Sequence, residues 1–204
     1  MERIVELLLD AIENPEQQAT LSQLQAITAW IQQVTSRQGF DLSRTRSILS
    51  ALGNALRSTL VKQQRMMGNR QLENLLRRFC DLVHTSDLPS LVLLQSLFPP
   101  RFQKQIMWDV SRKTGISPNV LQIMLPDIIP AILTLLNMGA VSTTSSDTVE
   151  VNNAKAGIVK AGIVKDNTLT ANPLLNAFLD NHDAGMDLAA LFEFSIRFCN
   201  PAYA

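Results

Sequence analysis

Cysteine is nearly absent from this sequence. Cys80 and Cys199 stand far apart in ordinary amphipathic runs, with no CxxC pair. That spacing excludes a disulfide scaffold, and both thiols are expected to be buried and free. Histidine is as scarce. His84 and His182 each have a nearby carboxylate, Asp81 and Asp183, but sequence neighbours of this kind commonly just face water. No GxSxG turn, phosphate loop or dinucleotide fingerprint is present. No catalytic residue, cofactor or metal is therefore expected, and an enzyme of unrecognised type is the weakest of the readings. Gly and Pro are sparse, 8 and 9 of 204 residues, and charged residues make up only 18%. Disorder of the main body and collagen-like repeats are excluded with them.

A secretory leader is not expected either. The first fourteen residues have an apolar stripe broken by Glu2, Glu6, Asp10 and Glu13, where a leader needs a basic start and an unbroken apolar run. The most apolar stretch, residues 116–138, is interrupted by Asn119, Gln122, Asp127 and Asn137 and by two prolines. A membrane span needs a cleaner run, so the expectation is a cytoplasmic protein off the membrane.

What is present is helical periodicity and a charge pattern hidden under zero net charge. Residues 1–36 carry one base and five acids, 37–113 thirteen bases and five acids, and 114–204 four bases and eight acids. A basic middle between acidic ends either neutralises internally on folding or marks a surface for nucleic acid or an acidic partner.

The apolar stripes run Val5, Leu8, Leu9, Ile12; then Leu24, Ile27, Ile31, Val34; then Ile48, Leu52, Leu56, Leu60; then Leu72, Leu75, Phe79, Leu82. Each is spaced for one face of a helix. Asn14-Pro15 reads as a stop and a new start. Gly39 closes the second helix, Asp41 or Ser43 caps the third, and Gly68-Asn69 ends it. Arg77 and Arg78 fall off the fourth stripe and are expected in water. The short apolar run at 91–98 is helix or buried strand by periodicity, with helix favoured by its neighbours. Phe102, Ile106 and Val110 mark a sixth helix ending at Gly115, and Ser117-Pro118 opens a seventh. Pro126 and Pro130 each cost a helix interior about 3 kcal/mol, so a break is expected near Leu125, with a fresh helix over 126–138.

Composition then shifts. Residues 140–172 hold a Ser/Thr run and a tandem repeat, 156–160 and 161–165, of Ala-Gly-Ile-Val-Lys. A five-residue period fits neither helix nor strand, and a flexible linker is expected, its Ile-Val pairs lending strand propensity to a sticky alternative. A short helix over 174–179, a polar turn and an amphipathic stretch over 188–198 follow.

Two constellations bear on function. The turn from Asp180 places Asp180 and Gly185 at calcium-loop positions one and six. His182, Ala184 and Leu191 occupy positions that require oxygen ligands, so a polar interhelical turn is expected there. Residues 110–125 are similar to a helix-turn-helix, with Gly115 in the turn and Ile116 beneath it. Lys104, Arg112 and Lys113 would then touch phosphates, and Asn119 and Gln122 would read base edges. Against this, the second helix offers few polar residues and runs into an apolar segment. Gly followed by Ser-Pro also serves any sharp corner.

The run Thr114-Gly-Ile-Ser-Pro-Asn-Val-Leu followed by Met124-Leu-Pro-Asp-Ile-Ile-Pro-Ala-Ile-Leu resembles the YidB-like family of bacterial helical proteins, in which a Gly-aliphatic-Ser turn precedes a Leu-Pro-x-apolar-apolar-Pro helix. Asn172-Pro-Leu-Leu-Asn-Ala-Phe-Leu-Asp180 is similar to the carboxyl-terminal segment of some members. The resemblance covers residues 86–139 and 172–198. It implies a bacterial helical domain of unassigned function and supplies no catalytic residues. The Asp-rich loop of the family is eroded here.

The sequence thus predicts an all-α, multi-helix bundle over 1–139 packed around Trp30, Phe79, Phe98, Phe102 and Trp108, a flexible linker over 140–172, and a short helical tail over 173–204. Its expected role is a non-enzymatic module for protein partners or self-association, using Ile128, Ile129, Ile132, Leu133 and Leu136. Helix-turn-helix DNA binding over 103–125 is the alternative.

Overall fold

The computed structural model describes residues 3–14, 17, 19–85, 90–140 and 172–199; the side chains of 84, 85, 90, 91, 93, 96 and 199 lie outside that description. The expected linker and its tandem repeat also fall outside it. Among the described residues the fold is all-α, with helices α1 (Arg3–Glu13), α2 (Leu21–Arg37), α3 (Leu42–Met67), α4 (Asn69–Thr85), α5 (Ser90–Leu97), α6 (Pro100–Thr114), α7 (Pro118–Asn137), α8 (Pro173–Asp180) and α9 (Ala184–Cys199).

Local chemistry sets most of these boundaries. Thr20 caps α2 in a reciprocal box: its Oγ1 accepts from the Gln23 N–H, and Gln23 Oε1 accepts from the Thr20 N–H, both at 3.2 Å. This capping box satisfies two of the donors a helix start leaves open. It also corrects the expected start at Asn14-Pro15, because α2 opens at Leu21. Asp41 Oδ1 accepts from the Arg44 N–H at 2.7 Å and begins α3. Gly39, Gly68 and Gly115 all sit at positive φ just past helix ends, where a Cβ would be strained.

Two helices organise the core. The 26-residue α3 packs most extensively against α9 and α6. The second, α7, is enclosed by α2, α4, α5, α6 and α8. The expected tail is therefore part of the body. Leu188, Leu191, Phe192 and Ile196 of α9 and Phe178 of α8 are core residues. At the α3–α9 crossing the backbones meet through glycines. A Cβ on Gly53 would stand 2.6 Å from the Ala184 carbonyl oxygen, and one on Gly185 would strike the Ser50 carbonyl.

The expected break near Leu125 does not occur. α7 continues through Pro126 and Pro130 to Asn137. Every residue from Ile128 to Asn137 is buried. At about 1.5–3 kcal/mol for each large aliphatic side chain removed from water, Ile128, Ile129, Ile132, Leu133 and Leu136 together outweigh two proline penalties of about 3 kcal/mol. Thr134 Oγ1 donates to the Pro130 carbonyl at 2.9 Å, adding a partner within the interrupted ladder. By length and mean hydropathy α7 alone among the described helices is a candidate membrane span. Its neighbours here are other helices of the chain.

The aromatic core is smaller than expected. Phe79, Phe98 and Phe102 are buried, whereas Trp30 and Trp108 are 42% and 63% exposed. Trp30 lies between the inward Ile27/Ile31/Val34 stripe and the solvent side of α2. Trp108 lies two residues from both Ile106 and Val110, on the opposite side of α6. In α4 the buried set is Leu72, Leu76, Phe79 and Cys80; Leu82 is 43% exposed. Arg78 is exposed as expected, and Arg77 is half-buried.

Candidate interaction surface on α5, α6 and α7

Along α6, Phe102, Ile106 and Val110 recur every fourth residue and point inward. The same spacing turns Lys104, Trp108 and Arg112 to the outside. Arg101 lies over the Phe102 ring, its guanidinium carbon 4.8 Å from the centroid, which covers one face of that buried aromatic. The corner after α6 is held by side chains. Thr114 Oγ1 donates to the Val110 carbonyl at 2.8 Å, and Ser111 Oγ donates to the Ile116 carbonyl at 2.7 Å. Ile116 is buried beneath the turn. Ser117 occupies the cap position, but its side chain makes no capping bond; Pro118 at the first helical position supplies the preorganised φ instead.

Between α5, α6 and the first half of α7 lies a cleft of about 270 Å³. Leu94, Met107, Leu125, Pro126 and Ile129 give it an apolar floor, and Gln95, Gln103, Lys104 and Gln122 give it a polar rim. Gln103 Nε2 donates to the Phe98 carbonyl at 2.8 Å, which fixes one wall. Next to Met107 and Gln122 in sequence are Trp108 and Ile123, 63% and 64% exposed, and Val92 on α5 is 47% exposed. Large apolar side chains left this open are what stands out on this surface; isolated smaller ones are ordinary.

The expected interface residues are elsewhere. Ile128, Ile129, Ile132, Leu133 and Leu136 are at most 1% exposed and lie in the core. Only Ile129 reaches the cleft, at its floor. The expected interface over 128–136 is therefore corrected: the segment is apolar because five helices pack on it.

The expected DNA-contact residues Lys104, Arg112, Lys113, Asn119 and Gln122 are all exposed, yet they are divided. Lys104 and Gln122 meet at the cleft described above. Lys113 lines a different hollow of about 320 Å³ with Arg46, Ser47, Ser50 and Asn54. Arg46 there is bound to Glu193 at 2.6 Å, and Arg112 lies 3.8 Å from Asp109.

The turn from Asp180 is the start of α9. Asn181 Nδ2 donates to Asp187 Oδ2 at 2.8 Å, and Asn181 Oδ1 accepts from the Asp183 N–H at 3.0 Å. Ala184 and Leu191 are core residues, and His182 is exposed. The Gly185 N–H donates to Asn54 Oδ1 at 3.2 Å, so this glycine serves helix contact. Among the described residues no group of three or more His, Cys, Asp or Glu is placed to hold a metal ion.

No family model matches the chain, and no curated protein or solved structure matches it.

Proposed function

We propose that this chain is a non-enzymatic protein-binding module and that its partner docks on the surface formed by α5, α6 and the first half of α7. The observation that carries the reading is the exposure of Trp108 on α6 and Ile123 on α7, the two helices that also line an apolar-floored cleft. Tryptophan beside a desolvated pocket is the usual anchor of protein interfaces. At about 270 Å³ the cleft is below the roughly 300–1,000 Å³ of drug-sized ligand sites, and it suits one or two anchoring side chains. Residence in the cytoplasm and membership of the YidB-like family belong to the same proposal.

The test is quantitative affinity purification from the native cell with the wild-type chain and with Trp108→Ser/Ile123→Ser. Both side chains are largely in water, so the double variant keeps its melting temperature. A partner recovered with the wild type and lost with the variant supports the reading. Identical recoveries contradict it.

The second reading, DNA binding through the α6–α7 corner, is favoured by the shared exposure of Arg112, Lys113, Asn119 and Gln122. It requires salt-dependent affinity for duplex DNA that falls when Arg112 and Lys113 become Ala. Absence of binding at low salt removes it.

A further inference from the structure

Two helices on different parts of the body carry opposite charge that folding leaves unmatched. On α6 four bases stand against one acid, and on α1 three acids stand against one base. Lys104, Trp108 and Arg112 form the outer stripe of α6, with Arg101 three residues before Lys104, and all four are exposed. Glu6, Asp10 and Glu13 form the outer stripe of α1 and are exposed as well. Among the described residues Glu6, Asp10, Glu13, Arg101 and Lys104 have no ion-pair partner. Arg112, its side chain 81% exposed, has Asp109 at 3.8 Å. Arg3, the base of α1, lines a hollow with Asp180 and Asp187 and so lies among carboxylates of its own. α1 packs on α8 and α9, and α6 on α3 and α7. Both stripes point away from the body, so they cannot meet within one copy.

Their spacing also corresponds. Lys104 and Arg112 are about 12 Å apart along the helix at 1.5 Å per residue, with Trp108 midway. Glu6 and Glu13 are about 10 Å apart on the same measure, and the half-buried Leu9 falls between them. Each stripe thus has charge at its ends and an apolar side chain between, with the signs reversed. Helices set side by side at about 8–10 Å bring both charge pairs within reach while Trp108 covers Leu9. Exposed ion pairs are individually weak and are screened by salt; the tryptophan adds a contact that is not.

We infer that the α1 stripe of a second copy of this chain docks on the α6 stripe of the first, so that copies join head to tail. The inference rests on the protein-binding reading above and specifies the partner. A net charge of zero divided into opposite faces fits a chain that complements itself. Because the two patches differ, a dimer leaves one of each open, and assembly runs on to a ring or an open chain.

The test is sedimentation equilibrium of the full chain and of two variants changed only at exposed positions. Glu6→Gln/Asp10→Asn/Glu13→Gln neutralises the α1 stripe, and Lys104→Gln/Arg112→Gln neutralises that of α6. The wild type is expected to grow past the dimer with concentration at low salt and to dissociate at high salt. Each variant alone should associate about tenfold more weakly. An equimolar mixture of the two should form dimers and stop there, because one intact α6 meets one intact α1 and no intact patch remains. A wild type that stays monomeric at low salt, association that either variant leaves unchanged, or a mixture that grows past the dimer overturns the inference. In each of those cases a cellular partner lost on Trp108→Ser/Ile123→Ser keeps the broader protein-binding reading, and no such loss removes both.

Discussion

Asn172 donates from its side-chain amide to the carbonyl of Leu136, 2.9 Å away and 36 residues earlier in the chain. The same side chain accepts from the Leu175 N–H at 3.0 Å and so caps α8. One buried residue thereby satisfies an acceptor near the end of α7 and a donor at the start of α8. It ties the start of α8 to the end of α7. Asn172→Ala removes the cap and leaves both backbone groups short of a partner. The expected loss is about 2 kcal/mol, read as a lower urea midpoint with an unchanged slope.

The α3–α9 crossing supplies a sharper case. Alanine normally favours a helix over glycine by about 1 kcal/mol. At Gly185 the added methyl meets the backbone of Ser50, which cannot move aside as a side chain would. Gly185→Ala is therefore expected to destabilise the chain by roughly 3 kcal/mol, measured as a drop in melting temperature. Gly53→Ala, facing Ala184 and Gly185, should act in the same direction.

Ile132→Ala separates core from interface at the segment the sequence made ambiguous. Ile132 is 1% exposed, so truncation should cost about 2–5 kcal/mol in chemical denaturation. The sedimentation coefficient of the variant should match that of the wild type. An interface residue would give the reverse, with stability kept and association altered.

Cys80 is buried within this core, and burial pushes its thiol up from 9.0 to about 12; Thr134 bonds to it and opposes the rise, while the Asp81 charge adds to it. Only the thiolate is alkylated. In a Cys199→Ser background, iodoacetamide at pH 8 is expected to leave Cys80 untouched until denaturant is added. The sign of the pH dependence follows from linkage. The folded thiol holds its proton where the unfolded one releases it, so this group makes stability fall as pH rises from 9 towards 12. Denaturation midpoints measured across that window should decline, and Cys80→Ala should flatten the decline.

Much of the fold could be read from the sequence because helix stripes and caps are local properties. Gly39 and Gly115 mark the ends expected of them, and of the two candidates Asp41 and Ser43 it is Asp41 that caps α3. Asn14-Pro15 is the more conspicuous start signal, yet it is Thr20 with Gln23 that forms a reciprocal capping pair. What went unread depends on packing between distant segments. Proline at 126 and 130 argues locally for a break, and burial of the same helix by five neighbours overrides it. An apolar run such as 128–136 looks alike whether a partner or the chain itself covers it. Residue type argues for Trp30 and Trp108 in the core, while their register on α2 and α6 points them outward. The cleft was half-visible. The sequence offers Lys104 and Gln122 as candidate DNA contacts, but Leu94, Gln95, Gln103 and Met107 join them only once α5 and α6 are set against α7.

The protein-binding role depends on where another protein touches this chain. A photo-reactive amino acid placed at 108, at 123 and, for comparison, at Met66 (65% exposed on the last turn of α3) maps that contact directly. Crosslinks to a second polypeptide from 108 and 123, and none from 66, are the result expected. Equal crosslinking from all three positions, or none from 108 and 123, would contradict it.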